Sequence, residues 1–218
     1  MIEGPVWGIV YAAGSGRRFG GFKQFEQIGE YRLVDRCLAA LAPVCDHLVV
    51  VLPASVEWTG AAVTAVVIGG ATNPESVRAG VAPVADDASV IVLHSPSHPL
   101  ASTALVRRVV EHLRTGVDGA CSVAPLHDAL RRLDDQGNIV DALQKEQVVS
   151  VQMPLAFRAD VLRDALAFDT SGSDAQTIVE RRGARIGTID GESTNIHVTT
   201  RVELEMARHL APMLDTTD

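Results

Sequence analysis

VWGIVYAAGSGRRFGGFKQF, residues Val6 to Phe25, passes from an apolar run through small residues into a glycine-rich loop carrying Arg17, Arg18 and Lys23. The run has the length and character of a buried strand. Strand, glycine loop and cations, in that order, are how an α/β protein makes a nest of backbone N–H groups for phosphate. Ala12, Ala13, Gly14, Ser15 and Gly16 leave room for a ligand to approach the main chain. Arg18 and Lys23 can meet the charge that the N–H groups leave unneutralised. Two other phosphate loops are excluded. The dinucleotide fingerprint G-x-G-x-x-G fails at its third glycine, where Phe19 stands. In the G-x-x-x-x-G-K-[ST] loop the lysine follows the second glycine directly, but here Phe22 separates Gly21 from Lys23 and Gln24 comes next.

Working outward, apolar runs at Gly8–Tyr11, Leu48–Leu52, Ala65–Ile68, Val90–Leu93 and Ala120–Val123 read as strands. Helical spacing falls between and after them, at Leu33–Ala42, Pro74–Val81, Ser102–Arg114, Arg158–Ala167, Ala175–Arg182 and Thr200–Leu210. This alternation predicts an α/β fold with a mostly parallel sheet and helices on both faces. Such sheets bind ligands beyond the carboxyl ends of their strands. Ser102 is a candidate N-cap, and Thr200 with Glu203 has capping-box spacing. The segment from about 125 to 150 breaks the alternation. It is polar and centres on Asp134-Asp135-Gln136-Gly137-Asn138, which predicts a projecting β-hairpin arm.

The chain has 218 residues, 47% hydrophobic, with a formal net charge of −8. That charge argues against a general nucleic-acid binder and makes the cations of the first loop a local exception. No run approaches the ~20 apolar residues that span a bilayer. The first residues lack the basic and apolar regions of a signal peptide, so a cytoplasmic protein is expected. Cys37, Cys45 and Cys121 lack metal or disulfide spacing and read as small buried residues. The histidines show no zinc-ligand spacing, so no protein metal ligands are assigned.

Ala12-Ala13-Gly14-Ser15-Gly16-Arg17-Arg18 followed by Phe22-Lys23-Gln24 resembles the A-A-G-x-G-x-R … P-K-Q signature of sugar- and polyol-phosphate nucleotidyltransferases. The nearest resemblance is to the 2-C-methyl-D-erythritol 4-phosphate cytidylyltransferase family. Further matches follow in order, from Val6 to about Leu210. Gly69, Gly70, Ser76 and Val77 match G-G-x-x-R-x-x-S-V, with Asn73 in place of Arg. His94 and Pro99 match H-D-A-A-R-P, with Ser95 for Asp and His98 for Arg. Asp128 matches at the base of the arm, with Ala129 for Thr, and Lys145 falls where the arm's substrate-binding Arg is expected. Gln152-Met153-Pro154 resembles Q-T-P, and Asn195-Ile196-His197-Val198-Thr199 resembles N-I-K-V-T.

The resemblance implies a single Rossmann-like nucleotidyltransferase domain over residues 1–218. It implies a cytidylyltransferase that joins CTP to a polyol phosphate, 2-C-methyl-D-erythritol 4-phosphate first, releasing pyrophosphate in isoprenoid precursor synthesis. Arg18 and Lys23 would be catalytic. Ala12, Ala13, Gly14, Ser15, Gly16, Gly70, Ser76 and Ser95 would hold the nucleotide. His98, Asp128, Lys145 and His197 would hold the acceptor. Mg²⁺ would be bound mainly through the CTP phosphates, because Ser95 is no carboxylate. A homodimer formed through the arm is implied, with no membrane or nucleic-acid partner. Nucleotide-side matches are kept, while acceptor-side positions are changed. That asymmetry leaves two further readings open: a CTP-dependent paralogue with another polyol phosphate, or a catalytically impaired nucleotide-binding homologue.

Overall fold

The computed structural model describes residues 3–168 and 174–214. Strand β1 (Val6–Tyr11) ends at the glycine loop and is followed by a small antiparallel pair, β2 (Gln27–Ile28) and β3 (Tyr31–Arg32). Then come α1 (Leu33–Leu41), β4 (His47–Leu52), β5 (Ala65–Ile68), α2 (Asn73–Val81), β6 (Val90–His94), α3 (Thr103–His112) and β7 (Gly119–Pro125). The hairpin β8 (Arg131–Leu133) and β9 (Ile139–Ala142) precedes β10 (Val149–Arg158), α4 (Ala159–Phe168), α5 (Ala175–Arg181), β11 (Ile186–Asp190) and α6 (Arg201–Leu214).

Seven strands form one sheet in the order β11-β7-β10-β6-β1-β4-β5. β1 lies between β6 and β4, parallel to both, and its inner residues are buried. Burial on both faces is why the run is apolar throughout rather than alternating. β10 alone runs antiparallel, between β6 and β7. On one face α1 and α3 pack Leu38, Leu41, Leu105 and Val109 against Val10, Val50 and Val92. On the other, Val77 of α2, Leu162 of α4 and Ile178 of α5 cover Ile9, Val51, Ile91 and Phe157. A third cluster lies beside the sheet, where Leu204, Ala207 and Ala211 of α6 bury Phe19 of the glycine loop with Ile28 and Leu33.

The five expected strands and six expected helices are all present, with bounds shifted by a few residues. Ser102 caps α3 by accepting from Leu105 N at 3.0 Å. Glu203 accepts from the N–H groups of Thr199 and Thr200, closing the start of α6. The three cysteines are buried free thiols. Two sheet strands had not been expected, β10 and β11. In β10, Gln152 and Pro154 interrupt the apolar run, and the register shifts between Gln152 and Leu155. β11 is an edge strand with a glycine and only partial burial.

The arm lies between Pro125 and Val149. Its turn is fixed by Asp134, whose carboxylate accepts from the N–H groups of Gln136 at 3.0 Å and Asn138 at 2.8 Å. Gly137 takes the left-handed conformation there, with φ 85°. Among the described residues no helix is long and apolar enough to cross a membrane.

Candidate active site

The cleft opens at the carboxyl ends of β1, β5 and β6, where a mostly parallel sheet presents its loops. Its volume is about 670 Å³. The loop after β1 supplies one wall. Gly16 sits at φ +62°, and its carbonyl oxygen accepts from the N–H groups of Phe19 (2.9 Å), Gly20 (2.9 Å) and Gly21 (3.2 Å). A Cβ at Gly16 would stand 1.7 Å from the Gly21 carbonyl oxygen, so only glycine fits. At Gly14 a Cβ would meet nothing within 4 Å, so that position is open to the cleft. Among the described residues, no acceptor takes the N–H groups of residues 14 to 18. They are free for an anion.

Arg17 and Arg18 are exposed beside these amides, and neither is ion-paired among the described residues. Lys23 is held more firmly. Its Nζ donates to Ser97 Oγ at 2.9 Å and to the Val198 carbonyl at 2.6 Å. Burial, and then the neighbouring Arg18, push its pKa below the ordinary lysine value, against an opposing pull from Glu203. A lysine ammonium has three donors, so one remains for a ligand.

The second wall follows β5. A Cβ at Gly69 would lie 2.3 Å from the Cβ of Ala13, so the first and second loops touch there. Thr72 and Glu75 cap α2 reciprocally. Glu75 Oε2 accepts from Ala71 N at 2.7 Å, and Thr72 Oγ1 accepts from Glu75 N at 3.3 Å. Ser76 Oγ donates to the Thr72 carbonyl at 3.0 Å, which leaves its lone pairs as acceptors. After β6, Ser95 Oγ donates to Ser97 Oγ at 3.1 Å and accepts from Ser97 N at 3.3 Å. Ser95, Ser97 and Lys23 thus form one chain of polar contacts.

The cleft therefore brings together Ala12, Ala13, Gly14, Ser15, Gly16, Arg18, Lys23, Gly70, Ser76 and Ser95. The expected acceptor residues lie elsewhere. Asp128 and Lys145 are exposed on the arm, outside this chain's own cleft, and Lys145 Nζ donates to the His127 carbonyl at 2.7 Å. His98 stands where the resemblance expects an Arg, and it is buried rather than part of the cleft lining. Its ring stacks on His197 at 4.8 Å and is buried behind the cleft. Desolvation, helped by His197, His94 and Lys23, lowers its pKa to about 3, so it is neutral at physiological pH. His197 is shifted in the same direction by desolvation and by Lys23 and Arg18.

Several supporting residues had not been assigned a role from sequence. Gln24 Nε2 donates to the carbonyls of Ala12 (2.7 Å) and Gly14 (3.0 Å). Gln152 donates to the Glu192 and Asn195 carbonyls, and Asn195 Nδ2 donates to the Met153 carbonyl at 2.7 Å. The two matched segments around Gln152 and Asn195 are thus tied to each other. No carboxylate lines the cleft, and no group of three potential metal ligands occurs among the described residues. Hydroxyls and cations do not make a resident Mg²⁺ site.

A parallel sheet with an unsatisfied glycine-loop nest, flanking cations and a second glycine turn defines a nucleotide-binding α/β protein of the nucleotidyltransferase type. The chain belongs to the 2-C-methyl-D-erythritol 4-phosphate cytidylyltransferase (IspD) family, whose model matches residues 6–211. It is 36% identical over 217 residues to the enzyme of that name from Rhodococcus jostii, covering 95% of this chain and 96% of that one. The counterpart from Nocardia farcinica is 34% identical, with 95% and 94% covered. The crystal structure of the Thermus thermophilus enzyme superposes with a TM-score of 0.81 at 27% identity, covering 96% of this chain and 99% of that one.

Two predictions follow from the site's packing. Gly16→Ala should weaken CTP binding by about tenfold or more and lower the melting temperature. Gly14→Ala should leave the melting temperature unchanged, because its methyl group enters open space. Titration calorimetry and thermal melts check both. The buried histidines set a pH dependence. His94 and His98 have folded pKa values of about 3 against an ordinary 6.5. Below 6.5 the unfolded chain takes up protons that the folded chain refuses, so stability falls as pH drops from 6.5 toward 3. The slope should be at most about 1.4 kcal/mol per pH unit for each histidine. Urea unfolding at a series of pH values measures it, and His98→Gln should reduce it.

Proposed function

We propose that this protein transfers the cytidylyl group of CTP to 2-C-methyl-D-erythritol 4-phosphate, in the synthesis of isoprenoid precursors. The observation that carries the reading is that, among the described residues, the N–H groups from Gly14 to Arg18 have no acceptor and line a cleft with Lys23 and no carboxylate. The acceptor's phosphate oxygen attacks the α-phosphorus of CTP. A new phosphorus–oxygen bond forms, the α–β bridging bond breaks, and pyrophosphate leaves. Little covalent work falls to the protein, so rate comes from positioning and from stabilising phosphate charge.

The loop amides suit the β- and γ-phosphates. Arg18 and the third donor of Lys23 suit the charge that develops at the α-phosphate and on the leaving group. The lone pairs of Ser76 can accept from the exocyclic amine of cytosine, and Gly70 lets the base approach the backbone. Mg²⁺ would be held mainly through the CTP phosphates and would supply further neutralisation of their charge. A cytoplasmic reaction is part of this reading, in keeping with the lack, among the described residues, of any helix long and apolar enough to cross a membrane.

The arm supports a homodimer. Leu133, Ile139 and Val140 are more than half exposed on it, and Val149 and Val151 at its base are nearly so. An apolar patch of this kind marks an interaction surface. In a dimer, Asp128 and Lys145 would serve the neighbouring cleft, since they do not reach their own.

A second reading keeps the chemistry and changes the acceptor. It is favoured by the buried, neutral His98 stacked on His197, at two positions where the resemblance expects fixed cations. Pyrophosphate release from CTP with methylerythritol phosphate, run beside a panel of polyol phosphates, decides between them. Lys23→Ala should lower turnover by about a hundredfold or more, on the order of 2.7 kcal/mol in transition-state energy. A near-normal rate for that variant removes Lys23 from the mechanism. Replacing Ile139 and Val140 together by Asp should convert the dimer to monomer in sedimentation and lower activity with it.

A further inference from the structure

The geometry points to Gln24 as a positioning residue that aims two amides of the glycine loop at the polyphosphate. This rests on reading the cleft as a nucleotide site.

Gln24 is 3% exposed, and its side-chain amide has two N–H donors. One goes to the Ala12 carbonyl and the other to the Gly14 carbonyl, at 2.7 and 3.0 Å. In a trans peptide the carbonyl of one residue and the N–H of the next lie in one plane and point in opposite directions. Drawing the Ala12 oxygen toward Gln24 therefore turns the Ala13 N–H away from it. Drawing the Gly14 oxygen turns the Ser15 N–H away in the same manner. Neither N–H is taken by an acceptor among the described residues, while Ala13 and Ser15 both line the cleft.

The alternative orientation is easy for this segment. Gly14 has no side chain to hold it, and a Cβ there would touch nothing within 4 Å. Without Gln24, the peptide between Gly14 and Ser15 could turn over and present its carbonyl oxygen to the phosphates. That would replace an attraction by a repulsion. Gln24 also sits directly after Lys23 in the short 3-10 turn Lys23–Phe25. The same turn therefore fixes the loop amides with one side chain and the ammonium group with the next.

The test uses Gln24→Met, which keeps the length and removes both donors, and Gln24→Glu, which sets an acceptor against two carbonyls. Both should lose affinity for CTP and for inorganic pyrophosphate by about tenfold or more, while cytidine, which has no phosphate, binds within about twofold of the wild type. In steady-state assays the KM for CTP should rise more than kcat falls. In the unsubstituted protein, pyrophosphate should shift the backbone amide resonances of Ala13 and Ser15, and cytidine should not. That arm decides the matter even if neither variant folds.

Normal CTP affinity in Gln24→Met overturns the proposal. Equal losses for cytidine and CTP overturn it too, since they would mark a merely structural role. Pyrophosphate that binds without moving either amide does the same. Wild-type protein that binds neither CTP nor pyrophosphate overturns the nucleotide reading itself, and the role of Gln24 with it.

Discussion

The carbonyl oxygen of Gly16 accepts three N–H groups, and the shape of the cleft depends on that one acceptor. By gathering the amides of Phe19, Gly20 and Gly21 it folds the loop back on itself. The amides that precede it are then left without partners on the cleft side. Gly16 takes a left-handed backbone here, and the Gly21 oxygen leaves no space for a Cβ, so glycine is required on both counts. Buried unpaired amides would be costly, but these face an open cleft where water or an anion can meet them. Phe19, sunk into the cluster beneath α6, fixes the turn from below.

Charge is arranged around that loop by burial as much as by residue type. Lys23 keeps its ammonium group where two protein oxygens hold it, and Arg18 stays in solvent nearby. His98 lies only a short way behind, yet it is neutral, because a buried ring cannot recover the hydration that a second positive charge would need. The cleft thus has cations beside its glycine loop, while the stacked His98–His197 pair lies outside its lining. The asymmetry seen in the motif matches has a physical counterpart in the folded chain.

Much of this was legible in the sequence, and the limits are specific. β1, β4 and β6 are nearly continuous apolar runs, as burial on both faces demands, and β5 and β7 were short apolar runs between helices. β10 was not legible, because a polar Gln152 and a proline stand where an inner strand should be continuously apolar. Gln152 is there for a tertiary reason, to bind the Glu192 and Asn195 carbonyls. The hairpin turn was legible because Asp134 and Gly137 act within five residues of chain. The neutrality of His98 was not, since it depends on neighbours from β6, the first loop and the segment before α6. Lys23 could be singled out by its place after the glycines. Gln24 beside it offered no such sign, since its partners lie ten and twelve residues back and are backbone atoms.

The placement of Phe19 under α6 has a consequence for synthesis on the ribosome. The glycine loop is synthesised well before its foundation, because Leu204, Ala207 and Ala211 come far later in the sequence. Until Leu204, Ala207 and Ala211 emerge, the cluster around Phe19 lacks the α6 side chains that complete it. The sheet can assemble around β1 before then, while the loop at its end lacks its floor. A nascent chain halted before α6 would therefore carry a formed sheet and a loop without its floor, so the cradle would be completed only once α6 is made.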